Sequence, residues 1–158
     1  MIGSTILRAV ALATALLLAS ATASWADAVR PEVGTPRKAA DSIFKAKKYR
    51  EALAKVAEAD AAANKTPYET YVIQRTKGSI AAAAGESETA AKAFEAVIAS
   101  GQAKGADQLK LVQAVAGLYY NAKDYAKAAQ WSARYQKEGG TDPAMQTLLV
   151  QSYFLMND

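Results

Sequence analysis

The sequence predicts an all-α fold built from stacked helix pairs, on three observations. The first is a period. Tyr49–Ala59 (YREALAKVAEA), Ser87–Val97 (SETAAKAFEAV) and Tyr125–Tyr135 (YAKAAQWSARY) start at even intervals, 87 − 49 = 38 and 125 − 87 = 38. Each sets a small residue three positions in, at Ala52, Ala90 and Ala128. A fixed period of roughly 20–50 residues marks an array of repeated supersecondary units. The second is punctuation. Thr35-Pro36, Thr66-Pro67 and Asp142-Pro143 each join a side-chain cap to a proline at the first helical position. The third is composition. Of the 158 residues 51% are hydrophobic, much of this alanine, there are four prolines, and strand-like Val/Ile/Thr alternation is nearly absent.

Composition also removes whole classes of chemistry. The chain has no Cys and no His. It therefore cannot build a thiolate metal site, a nucleophilic Cys or the usual neutral-pH general base. The formal net charge is +4, from 19 Lys and Arg against 15 Asp and Glu. This is too weak a bias for a duplex nucleic-acid binder. There is no phosphate loop, dinucleotide fingerprint or nucleophile elbow. Glu86 and Glu88 at the second turn read as compensation for a helix dipole. Asp27, Glu32 and Asp41 lack the alternation of a calcium loop. No enzyme is expected and no cofactor is implied.

Met1–Ala26 reads as a leader. Arg8 lies ahead of an apolar stretch, and Ser24-Trp25-Ala26 offers small residues at −3 and −1. That is the layout of a cleaved secretory signal peptide. The apolar run falls short of the roughly 20 residues that span a bilayer. The expected location is periplasmic or secreted, with cleavage near Ala26. Residues 27–35 then read as an extended lead-in, and residues 36–158 as the repeat domain.

Helices follow in order. The first runs from about Pro36 to Ala46, turns at Lys47-Lys48, and returns from Tyr49 to about Ala62. The second pair runs from Pro67 to Ala84, turns at Gly85-Glu86, and returns to about Ser100; Thr66 and Glu69 form a capping box. The third runs from about Ala106 to Asn121, turns at Lys123-Asp124, and returns to about Glu138. Gly139-Gly140 ends it, since glycine takes the left-handed C′ position. A seventh helix runs from Pro143 to about Met156. Short turns force antiparallel neighbours.

These residues resemble tetratricopeptide repeats. Gly78, Gly85, Ala90 and Phe94 fall on four of that family's signature sites. Ala40, Tyr49, Ala52, Val56 and Ala59 fit in the first repeat, and Ala116, Tyr119, Tyr125 and Ala128 in the third. Lys47 and Lys123 stand where the family has its turn glycine. The resemblance implies a right-handed superhelix of about three repeats plus a final unpaired helix. The family repeats every 34 residues, so the four extra residues per unit are expected in the loops near Ala62–Thr66 and Ser100–Ala106.

The resemblance also implies a site. In the family, particular positions of each pair's first helix line a concave groove. Carried over, they are Arg37, Asp41, Phe44 and Lys45; Val72, Arg75 and Ser79; Lys110, Gln113, Tyr120 and Asn121; and Thr147, Gln151 and Phe154. Arg37, Arg75 and Lys110 would set one cation on each repeat, a row suited to an acidic segment. The family's clamp for C-terminal carboxylates expects Asn where this chain has Asp41 and Thr76, so that clamp is not implied. The Lys45–Arg50 cluster reads as a solvated helix end or an anion site. Tyr119 and Trp131 read as core or as a stacking platform.

The implied function is an exported scaffold that binds a protein or peptide through its groove, with no nucleic acid and membrane contact only through envelope partners. Two alternatives stand beside it: a structural subunit of an envelope assembly, for outer-membrane biogenesis or exopolysaccharide export, or the front of a longer repeat protein. The small crossing residues carry a testable consequence. Ala90→Leu should destabilise the protein by about 1–3 kcal/mol through overpacking. An unchanged thermal melt would refute the register.

Overall fold

The computed structural model describes residues 28–157. The expected leader, Met1–Ala26, lies outside them. Seven α-helices follow one another: α1 Pro31–Lys45, α2 Tyr49–Asp60, α3 Pro67–Ala83, α4 Ser87–Ala99, α5 Gly105–Asn121, α6 Tyr125–Lys137 and α7 Pro143–Met156. Among the described residues there is no strand. Each helix packs on its neighbours in sequence, with smaller contacts of α1 on α3 and α5 on α7. The result is a row of antiparallel helix pairs.

The starts of α2, α4 and α6 fall at Tyr49, Ser87 and Tyr125, on the 38-residue period. Three turns with one geometry set them. Lys47, Gly85 and Lys123 have φ of 58°, 78° and 63°. The amides of Lys48, Glu86 and Asp124 donate back to the carbonyls of Ile43, Ala81 and Tyr119 at 3.3, 2.9 and 3.0 Å. Those of Lys47, Gly85 and Lys123 donate to Phe44, Ala82 and Tyr120. This is the Schellman closure, which satisfies the orphan carbonyls of a helix end. A fourth copy ends α6, where Gly139 has φ 90° and Gly140 donates to Tyr135.

Packing obeys the same period. Ala40, Ala52, Ala90, Ala116 and Ala128 are fully buried, and Gly78 is buried with them. A Cβ on Gly78 would lie 2.5 Å from the Phe94 ring, so the aromatic occupies the space the glycine vacates. The apolar core forms two clusters. One joins α1 and α2 to Ile73 and Ile80 of α3. The other runs from Ala91 through α5 and α6 to Met145.

Two expectations need correction. Residues 31–35 are helical, not an extended lead-in, because α1 begins at Pro31 with Arg30 as its N-cap. Pro36 sits inside α1, where it removes one backbone bond near the helix start. The second concerns the extra residues of each unit. The connectors 61–66, 100–104 and 138–142 are alike in length, but α3 and α5 hold 17 residues and α7 holds 14. The surplus is a further helical turn, nucleated at α3 by the Thr66–Glu69 capping box.

The register of α7 follows from burial. Ile73 and Ile80 of α3 are buried against the preceding pair, and Leu111 and Leu118 take their places in α5 (111 − 73 = 38). In α7 the corresponding buried residues are Met145 and Ser152, and 145 − 111 = 34.

Lysine in the left-handed region crowds its Cβ against the backbone. Lys47→Gly and Lys123→Gly should each stabilise the fold by about 1 kcal/mol, measured by urea denaturation. Gly85→Lys should do the reverse.

Candidate functional site

The face predicted to bind a partner is built from α1, α3, α5 and α7, and its charges are less free than the sequence implies. Arg75 is bidentate to Asp107 on α5, at 2.7 and 2.8 Å. Its Nη1 also donates to the Tyr71 hydroxyl at 2.8 Å, with the guanidinium 5.8 Å from that ring. The hydrogen-bonded Asp107 carboxylate holds Arg75 above its ordinary pKa, and Arg75 holds Asp107 below its own. Arg37 donates to Asp41 at 3.2 Å along the same helix. Gln113 stands 38 residues after Arg75 and reaches Asp142 at 2.7 Å. Asp142 also caps α7 by accepting from the Ala144 amide at 2.9 Å.

The row of three cations is therefore not a row of free charges. Arg75 and Gln113 occupy equivalent positions, and each ties its helix to an acid at the start of the next pair. Asp107 was legible only as an acidic residue in the first turn of α5. The 32-residue separation from Arg75 spans a full helix and two turns, so no local pattern links them.

A stronger tie of the same kind sits at the first junction. Glu69 is fully buried. Its Oε1 accepts from the Arg30 amide and Nε, both at 2.9 Å. Its Oε2 accepts from Arg30 Nη2 at 2.9 Å and from the Thr66 amide at 2.8 Å. Arg30 Nη2 also donates to the carbonyls of Ala63 and Asn64, at 3.1 Å each. Hydrogen bonding from Arg30 pulls the Glu69 pKa down to about 2.

What remains available on the predicted face is Lys45, Ser79, Lys110, Asn121, Gln151 and Phe154, all exposed. Ser79 Oγ donates to the Arg75 carbonyl. Tyr120 is half-buried, edge-on to Tyr125 with centroids 5.6 Å apart. Phe44 packs at a tilt on Tyr49. Lys45 and Lys110 make no ion pair among the described residues. Tyr119 is core, as the resemblance implied; burial pushes its hydroxyl up to about 12, and the neighbouring Glu95 carboxylate adds to this.

The sequence reading missed a groove on the other side, between α2 and α4. It measures about 500 Å³ and is lined chiefly by Leu53, Val56, Ala57, Lys77 and Thr89. One repeat later the same place is filled. The Trp131 indole N–H donates to Glu95 at 3.1 Å, and the Lys127 ammonium lies 4.6 Å from the Tyr119 ring centre. Thirty-eight residues before Glu95, Lys127 and Trp131 stand Ala57, Thr89 and Ala93. Small side chains leave the groove open.

Among the described residues, no cluster of His, Cys, Asp and Glu could hold a metal ion. No helix there is long and apolar enough to cross a membrane. No known family model, curated protein or solved structure matches the chain.

The buried Glu69 sets an acid limit. Its folded pKa lies below the unfolded one, so its stabilisation is complete above about 4.5 and fades as pH falls towards 2. Urea denaturation at stepped pH should show this loss. Arg30→Met should be less stable at pH 7 yet lose less on acidification, since the main cause of the shift is gone.

Proposed function

We propose that the chain is a tetratricopeptide-like scaffold, exported to the periplasm or beyond, that binds another protein through the face formed by α1, α3, α5 and α7. The observation that carries this reading is the repetition itself. Turn, small crossing residue and buried apolar set recur at one spacing, and a stack of such pairs curves so that one helix of each pair lines a continuous surface. The polar ties Arg75–Asp107 and Gln113–Asp142 fix the spacing of that surface from pair to pair. The exposed Lys45 and Lys110 give it a positive bias, which favours an acidic peptide segment or helix. The mechanism is recognition on a pre-organised surface, with no covalent chemistry.

The test is affinity capture from an envelope extract, followed by titration of the captured partner. Lys45→Glu with Lys110→Glu should lower its affinity at least about tenfold, or about 1.4 kcal/mol. Lys137→Glu, on the last turn of α6, should leave it unchanged. Arg75 is unsuitable for this test, because its replacement also removes a tie between pairs. A partner held equally by all three proteins would refute the reading.

A further inference from the structure

The groove between α2 and α4 has an internal reference, because the junction of α4 with α6 repeats it one unit later. That junction is closed by two rings. Tyr119 is fully buried, with the Lys127 ammonium 4.6 Å from its ring centre. The Trp131 indole packs on the same core and donates to Glu95 at 3.1 Å. Thirty-eight residues earlier both rings are alanines, Ala81 and Ala93, each buried. The acid and the cation beside the rings become Ala57 and Thr89, two residues that line the groove. The backbone repeats and the rings do not, which leaves about 500 Å³ open. Small-ligand sites occupy roughly 300–1,000 Å³.

The charges differ as well. Lys77 and Asp60 line the groove at positions where the closed junction buries Val115 and Ile98. Asp60 is already engaged: its carboxylate lies 3.6 Å from the Lys65 ammonium and accepts from the Gln74 side-chain amide at 3.4 Å. Glu86, the N-cap of α4, is exposed. Lys77 is half-buried and makes no ion pair among the described residues. An ammonium beside apolar Leu53 and Val56 is attracted both by a carboxylate and by the face of an aromatic ring.

We propose that this groove binds a small aromatic carboxylate, with its ring on Leu53, Val56 and Ala57 and its carboxylate at Lys77. The ring supplies what Tyr119 and Trp131 supply one unit later. The anion supplies the partner that Lys77 lacks among the described residues. The groove opens between the second helices of two pairs, so the site does not depend on partner binding along the first helices.

The test is calorimetric titration of the full chain with indoleacetate, indole and tryptamine, which share a ring system and differ in charge. Saturable binding of indoleacetate is expected, at least about tenfold tighter than that of indole. Tryptamine should bind no better than indole. Lys77→Met keeps an apolar stem without the charge, and should erase the preference for the acid while indole still binds. Ala57→Trp sets a ring into the groove from an exposed position, and should abolish binding of all three with unchanged circular dichroism. Failure of indoleacetate to bind, or equal binding to Ala57→Trp, would overturn the site. Tryptamine bound tighter than the acid would overturn the carboxylate in favour of a cation at Asp60 and Glu86. A preference for the acid that survives Lys77→Met would overturn the part given to Lys77.

Discussion

Close approach of helix axes is the constraint on which the row depends. Two helices joined by a three-residue turn have no room for a large side chain on both sides where they cross. Ala40 and Ala52, Gly78 and Ala90, and Ala116 and Ala128 are small and buried on paired helices at one spacing, as that requirement demands. Dispersion then works at short range across each crossing. Phe94 shows the reverse case: it is admitted because Gly78 gives up its Cβ. Backbone proximity also places each helix end where its carbonyls can be satisfied by the next turn. The crossings and the Schellman turns are therefore parts of one solution, and the 38-residue period expresses both.

Three polar contacts join one pair to the next. Arg30 with Glu69, Arg75 with Asp107, and Gln113 with Asp142 each bridge a helix to the start of the next pair. Glu69 serves twice, closing the capping box of α3 and neutralising Arg30. An acid at a helix start is favoured by the dipole, and the preceding helix supplies the donor. Charges that the sequence offers to a partner are thus consumed inside the fold, which leaves Lys45 and Lys110 as the exposed cations of the predicted face.

Local signals in the sequence were accurate where the physics is local. Tyr49, Ser87 and Tyr125 were placed to the residue, and so were the Thr66 capping box and the Gly139 ending. The start of α1 was not legible. Thr35-Pro36 has every mark of a helix start, but Arg30 is held by a carboxylate 39 positions away and the helix begins earlier. The extra turn of α3 and α5 was assigned to loops because periodicity gives the length of a unit and not its distribution. Of the predicted site, the helix that carries each residue was legible. The engagement of those residues was not, because Arg75 and Asp107 meet only after two helices have packed. The open groove at Ala57 could be found by comparing the repeats, as the absence of large residues present one unit later.

Contacts confined to neighbours along the row have a consequence for how such a chain can change over generations. Lys48, Glu86 and Asp124 share one backbone geometry, with ψ between 66° and 73°. A cut at any of them and a join at another meets the same incoming and outgoing directions. Lengthening or shortening by a whole unit preserves every crossing except the one at the seam, whereas a change of a few residues turns the small positions away from their partners. Descent in this architecture is accordingly expected to proceed in steps of one helix pair.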